Sequence, residues 1–117
     1  MSKVYMWSAV VAAVLLYSSA GFAMDPSVRC QVDKLKISSK YITCRLKSEA
    51  QAVKRFRAPE VDECDAAFYV AWNAAEERSL ARGIACFTTG DAAAVQASLA
   101  SYCDGLAHGL SQEAGEK

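Results

Sequence analysis

All five cysteines of this 117-residue chain follow an apolar N-terminal segment, and these two features constrain the fold more than any other. The cysteines are Cys30, Cys44, Cys64, Cys86 and Cys103. An exported chain enters a compartment where thiols are oxidised, so the cysteines are expected first of all to form disulfides. The 94 residues from Met24 to Lys117 suffice for one small domain, in which disulfides commonly supplement a limited apolar core.

Residues 1–23 have the three parts of a secretory signal peptide. Lys3 is followed by an apolar run and then by a stretch of small residues that ends at Ala23. The run is roughly ten to twelve residues long, whereas a membrane span needs about twenty, so a cleaved leader is favoured over an uncleaved anchor. Cleavage is expected between Ala23 and Met24, with Ala20 or Gly21 as the alternative last residue of the leader. The mature protein is predicted to be secreted or periplasmic and not to span a membrane.

The segment after the leader predicts a long first helix that begins at Asp25-Pro26-Ser27 and ends at Ala58-Pro59. One apolar stripe has four-three spacing and defines one face of this helix: Val28, Val32, Leu35, Ile42, Leu46, Val53 and Phe56. A second apolar set lies nearly opposite: Cys30, Ile37, Tyr41 and Cys44. Because no Gly or Pro interrupts the run, we expect one unbroken helix with neighbours on both sides.

Two shorter helices are predicted to follow. The second has an acidic first turn after Pro59 and ends near Arg82, with Gly83 as its stop signal. Its expected inner stripe is Val61, Cys64, Phe68, Trp72 and Ala75. The third runs from Asp91 to about His108, and Thr88 imitates a capping box with Asp91. Its expected core residues are Val95, Leu99, Tyr102, Leu106 and Leu110.

These elements predict an all-α fold without strands. The expected architecture is a disulfide-stapled antiparallel helical hairpin with a third packed helix, a small three-helix bundle over residues 24–110. Residues 111–117 are expected to form a frayed tail.

The hairpin suggests a pairing for four of the cysteines. If the chain turns near Arg57, Cys30 is level with Cys86 and Cys44 is level with Cys64, which gives two nested disulfides. A competing bridge, Cys44 with Cys103, is level if the third helix runs parallel to the first. Cys103 has three alternatives: burial as a free thiol, a disulfide that joins two chains into a dimer, or a swapped bridge within the chain.

The charges are unevenly distributed although the chain as a whole is neutral. Residues 29–57 hold nine basic and two acidic side chains, whereas residues 58–117 hold three basic and ten acidic ones. The preferred interpretation is that the basic first helix packs against the acidic remainder and the charges neutralise each other. The alternative is a basic surface for anionic lipid, glycan or nucleic acid. Only Tyr41 and Phe56 could stack on bases there, which argues against nucleic acid.

No combination of residues in the sequence predicts catalysis, a cofactor or a metal ion. The single histidine, His108, could join Cys103 and Asp104 as a metal ligand, but residues five apart on a helix point in directions about 140° apart. The adjacent carboxylates Glu76 and Glu77 also point apart. An aromatic set could form a ligand box, but helical spacing in a small bundle favours core packing: Phe68, Tyr69 and Trp72.

Three stretches resemble a known kind of module. They are Lys34-Leu35-Lys36 with Lys40 before Cys44, Cys64 with Phe68 and Trp72, and Cys86-Phe87-Thr88-Thr89-Gly90-Asp91-Ala92. Together they resemble the four-cysteine, Lys/Ala-rich helical module of secreted bacterial proteins, which often occurs in tandem, over residues 30–95. The resemblance implies nested disulfides and leaves Cys103 outside the pattern, and it implies no activity.

The expected function is that of an exported structural or protein-interaction module with an unidentified protein partner. The alternative is a cationic binding module whose first helix engages an anionic surface. A third hypothesis is a thiol-linked redox or metal-handling protein built around Cys103.

Overall fold

The structure is a computed structural model that describes the backbone of residues 24–115 and the side chains of residues 24–110. The predicted leader, with Ala23 at its cleavage site, lies outside the described residues. Three helices form the described fold: α1 is Pro26–Arg55, α2 is Asp62–Ala81 and α3 is Ala92–Gly115. The predicted all-α fold is thereby confirmed, and residues 24–115 contain no strand.

Helix α1 is a single unbroken helix of 30 residues, as the sequence predicts. It begins where expected, because the Asp25 carboxylate accepts a hydrogen bond from the Ser27 N–H, 2.9 Å away, and Pro26 occupies the first turn. It ends at Arg55, earlier than the predicted Ala58-Pro59. The physical reason is that Phe56 adopts a left-handed conformation with φ of 54°, which ends the helical hydrogen-bond pattern.

Helix α2 begins at Asp62 with three acidic residues in its first turn, where the helix dipole favours negative charge. Its predicted stop is confirmed, since Gly83 has a φ of 84° and donates its N–H to the carbonyl of Leu80.

Helix α3 runs beyond its predicted end near His108 and continues to Gly115, so the expected frayed tail is helical as far as that residue. Gly105 and Gly109 keep negative φ angles and therefore do not terminate it.

All three helices pack against one another, with α2 antiparallel to α1. Helix α3 runs parallel to α1, because Lys34 contacts Asp91 and, further along both helices, Arg45 contacts Asp104. The main core cluster lies beside the middle of α1: Tyr41, Cys64, Phe68, Trp72 and Ala92. A smaller cluster lies near the start of α1: Cys30, Ala75 and Cys86.

The α2 stripe is confirmed from Cys64 to Ala75, but the prediction that α1 has neighbours on both sides is wrong, because its four-three stripe is largely exposed. In that stripe Val28, Leu35 and Val53 are exposed, and Phe56 is 97% exposed. The buried face is the opposite set, which continues through two charged residues: Cys30, Lys34, Tyr41, Arg45 and Ala52. Both sets have helical spacing, and the opposite set is buried because it carries the disulfides and the partners of the other two helices.

The stripe predicted for α3 is also partly wrong. Val95 and Leu99 pack against the core, but Tyr102, Leu106 and Leu110 are exposed. Cys103 is completely buried instead, because it lies on the face of α3 that meets α1.

Candidate functional site

Two disulfides join the helices in the nested arrangement. Cys30 is bonded to Cys86 with 5.6 Å between their Cα atoms, which ties α1 to the connector between α2 and α3. Cys44 is bonded to Cys64 with 5.8 Å between their Cα atoms, which ties α1 to α2. Both spacings are typical of disulfides. The competing Cys44 to Cys103 bridge is wrong because Cys44 faces α2, whereas Cys103 lies at the α1–α3 interface.

A buried lysine lies where the three helices meet near the first disulfide. The Lys34 side chain is only 4% exposed. Its Nζ atom donates to Glu76 Oε1 at 3.0 Å, to the Thr88 carbonyl at 2.8 Å and to Asp91 Oδ1 at 3.1 Å. The same ammonium group lies 4.7 Å from the ring centroid of Trp72, a cation–π distance. All three ammonium protons therefore have oxygen partners, which is the condition for burying such a charge.

Asp91 connects this lysine to the other elements. Besides Lys34, it accepts hydrogen bonds from Trp72 Nε1 at 3.0 Å and from Thr88 Oγ1 at 2.7 Å. Burial alone would raise the pKa of Asp91, but the hydrogen bonds from Thr88, Lys34 and Trp72 together hold it well below its ordinary value. We call the residues Lys34, Trp72, Glu76, Thr88 and Asp91 the lysine cluster.

A second charged cluster lies about three turns further along α1. Arg45 donates to Asp104 Oδ1 on α3 at 2.8 Å and to the Tyr41 hydroxyl at 3.1 Å, and its Nη1 is 3.5 Å from Asp65 on α2. The Tyr41 hydroxyl in turn donates to Asp65 at 2.6 Å. Burial and then the hydrogen bond to Asp65 raise the pKa of Tyr41 to about 12. We call Tyr41, Arg45, Asp65 and Asp104 the arginine cluster.

Cys103 is a free thiol beside the arginine cluster. It has no exposed surface, and burial raises the pKa of the thiol above its ordinary value although Arg45 acts in the opposite direction. Of the three alternatives for Cys103, the described chain has the buried free thiol.

The other predicted candidates do not form a chemical site. His108 is exposed, and no group of three potential metal ligands occurs among the residues that the structure describes. Phe68 and Trp72 are buried in the core with their rings 5.0 Å apart, and Tyr69 packs against that cluster. The aromatic set is therefore core.

Sequence reasoning missed Lys34 and Arg45 as interior residues. The available signal was their position on the face that carries Cys30, Tyr41 and Cys44, but charged residues are normally assigned to the surface. The Thr88–Asp91 contact was predicted as a capping box. The contacts of Asp91 with Lys34 and Trp72 were not predicted, because they depend on side chains from α1 and α2.

The two clusters also test the predicted neutralisation between halves of the chain. Lys34 and Arg45 are paired with acidic residues of α2 and α3, and Arg78 on α2 is 3.6 Å from Asp33. Six other basic residues of α1 are exposed and form no ion pair with any described residue: Arg29, Lys36, Lys40, Lys47, Lys54 and Arg55. Neutralisation thus holds for the interior charges and leaves a basic surface on α1.

The fold and these clusters define a disulfide-stapled three-helix bundle whose charged side chains cross-link the helices internally. No protein-family model matches the chain, and comparisons with curated proteins and with solved structures gave no match. The resemblance to secreted four-cysteine modules therefore stays a prediction.

Proposed function

We propose that this protein is an exported structural or protein-interaction module that acts through its exposed helical surface and not through catalysis. Its two disulfides are consistent with an extracellular or periplasmic protein. Within the described residues, no helix is long and apolar enough to cross a membrane.

The state of the charged side chains supports this proposal. Lys34 and Arg45 are buried, and their charges are already neutralised by acidic partners on α2 and α3. A substrate would have to break these ion pairs to reach either group, which would leave buried charges without partners. The clusters therefore serve to hold the three helices together.

The observation that carries the proposal is the exposure of Phe56. The side chain is 97% exposed at the end of α1, in a backbone conformation fixed by a hydrogen bond from its own N–H to the Ala52 carbonyl. The parallel register of α1 and α3 places the exposed Leu106 and Leu110 near the same end of the bundle. We call Phe56, Leu106 and Leu110 the end patch. We propose that these large apolar side chains, exposed at one end of the bundle, contribute to a protein-binding surface.

A photo-crosslinking residue tests this surface in the native host. Ala58 and Ala81 are both exposed. Ala58 comes shortly after Phe56 of the end patch, whereas Ala81 is the last residue of α2, at the opposite end of the hairpin. We expect a discrete protein adduct from position 58 that is lost in a Phe56→Ser background, and no such adduct from position 81. Equal labelling from both positions, or an adduct that survives Phe56→Ser, would contradict the proposal.

The alternative function, a cationic binding module, is favoured by one specific observation. The exposed basic residues of α1 have no ion-pair partner among the described side chains, so their charge is available to an external anion.

A further inference from the structure

The outer surface of α1 carries two parallel rows of side chains, one apolar and one basic. Four times along the helix an apolar residue is followed directly by a basic one: Val28-Arg29, Leu35-Lys36, Leu46-Lys47 and Val53-Lys54. The pairs are separated by seven, eleven and seven residues. Because these separations are close to whole numbers of helical turns, every pair projects in the same direction from the helix.

Most side chains of both rows are exposed to solvent and do not belong to the core of the bundle. Leu35 and Val53 are 62% and 71% exposed, Val28 is exposed, and Leu46 is half-buried. The four basic residues are exposed and form no ion pair with the described part of the chain. The residues that α1 uses for packing, from Cys30 to Ala52, lie on the other side of the helix.

Acidic residues do not cancel this charge on α1 itself. Of its two acidic side chains, Glu49 lies away from the basic row. Asp33 lies one helical turn from Arg29 and Lys36, but its carboxylate is 3.6 Å from Arg78 of α2. Lys40 adds a fifth positive charge on the same side as the basic row.

We infer that this face of α1 is a docking surface for an anionic lipid bilayer. The rows extend about 38 Å along one continuous helix, so they fit a flat surface. In this arrangement the basic row lies at the lipid phosphates and the apolar row contacts the boundary of the acyl chains, which is how amphipathic helices lie in a membrane interface. This inference concerns a different face from the end patch. It rests on the alternative function, the cationic binding module, and names the anionic partner of that module.

The apolar row distinguishes a bilayer from other anionic partners. A glycan or a nucleic acid backbone would be bound by the basic row alone and would gain little from Leu35 or Val53. A bilayer uses both rows, because burial of apolar side chains adds to the electrostatic attraction.

The test measures how tightly the oxidised, natively processed protein binds to two kinds of lipid vesicle. The first consists of phosphatidylcholine alone, and in the second half of the lipid is replaced by phosphatidylglycerol. Lys36→Gln with Lys47→Gln removes two charges from the basic row. The matched control, Arg55→Gln with Arg57→Gln, removes two exposed charges at the end of α1, outside the rows. Leu35→Ser tests the apolar row, and Val70→Ser on the exposed surface of α2 is its control.

We expect binding to the anionic vesicles at 150 mM salt and much weaker binding to neutral ones. Each lysine removed from the basic row should weaken binding about fivefold, so the double variant loses about 25-fold. Leu35→Ser should weaken binding several-fold, while both controls stay close to wild type and all variants keep the wild-type helical circular dichroism.

The inference is overturned if anionic vesicles bind no better than neutral ones, or if the row variants and their controls lose binding equally. It is also overturned if heparin or DNA binds more tightly than the vesicles at the same salt and Leu35→Ser leaves vesicle binding unchanged. Failure of the protein adduct at position 58 would contradict the proposed function without affecting this result.

Discussion

Lys34 and Asp91 are separated by 57 residues in the sequence, yet the Lys34 Nζ atom lies 3.1 Å from Asp91 Oδ1 at the junction of all three helices. Lys34 belongs to α1, and Asp91 directly precedes the first residue of α3. Trp72 and Glu76 bring α2 to the same point. This contact fixes the direction and register of α3 relative to the disulfide-linked hairpin.

Substitution Asp91→Asn should lower the free energy of unfolding by about 2 to 3 kcal/mol, because it leaves the buried Lys34 ammonium with one anionic partner fewer. The exposed variant Glu77→Gln, on the outer side of α2, should change it by less than about 0.5 kcal/mol. Chemical denaturation under oxidising conditions measures both. A similar effect for the two variants would mean that the lysine cluster does not stabilise the fold.

The lysine cluster should also make stability dependent on acidic pH. The pKa of Asp91 is lower in the folded protein than its ordinary value, so its contribution is fully present above the unfolded pKa of about 4. It should be lost progressively as the pH falls below that value towards the folded pKa. Denaturation midpoints measured between pH 7 and pH 2 should therefore fall more steeply for the wild-type protein than for Asp91→Asn. Parallel curves would contradict this assignment.

Tyr41 should ionise later than an exposed tyrosine. Burial and the hydrogen bond to Asp65 raise its pKa to about 12, so the folded protein loses stability as the pH rises from the unfolded value of about 10 through 12. Absorbance titration at 295 nm should show one late tyrosine that is absent from Tyr41→Phe. Tyr102→Phe, which changes an exposed side chain, should leave the late component in place.

Removal of the two disulfides should have unequal effects. In the loop-entropy description, the Cys30–Cys86 bridge, which closes 56 residues, contributes about 4 kcal/mol and the Cys44–Cys64 bridge, which closes 20, about 3 kcal/mol. Paired Cys→Ala variants measured by denaturation should follow this order. Peptide mapping without reduction should recover the nested pairs, and a main Cys44–Cys103 peptide would contradict the structure.

The Cys103 thiol should be protected from reagents. Because it has no exposed surface and its pKa is raised by burial, alkylation of the native oxidised protein should be slow and should become fast only in denaturant. The protein should migrate as a monomer in a gel without reductant. A disulfide-linked dimer that disappears in Cys103→Ser would instead support the dimer alternative.

Much of the architecture follows from local sequence signals. Asp25-Pro26 starts α1, and Gly83 ends α2, because the first supplies a side-chain cap and the second adopts a backbone conformation that other residues avoid. Similar distances from the hairpin turn predict the nested disulfides that the structure contains. These signals depend only on neighbours along the chain or on the geometry of a simple hairpin, so the sequence suffices for them.

The sequence could not decide which face of α1 is buried. The Val28–Leu35–Val53 face and the Cys30–Tyr41 face have the same helical period, and the more apolar of the two is the one left exposed.

Only the tertiary structure made that choice. Lys34 and Arg45 can be buried because α2 and α3 bring carboxylates to them from positions far along the chain. A charged side chain is costly to bury alone and is tolerated when it is paired and hydrogen-bonded, as the Lys34 ammonium and both terminal nitrogens of Arg45 are. The sequence by itself therefore determined the helices and the disulfides, whereas the buried ion pairs, and with them the exposed face of α1, were decided by partners that only the folded chain brings together.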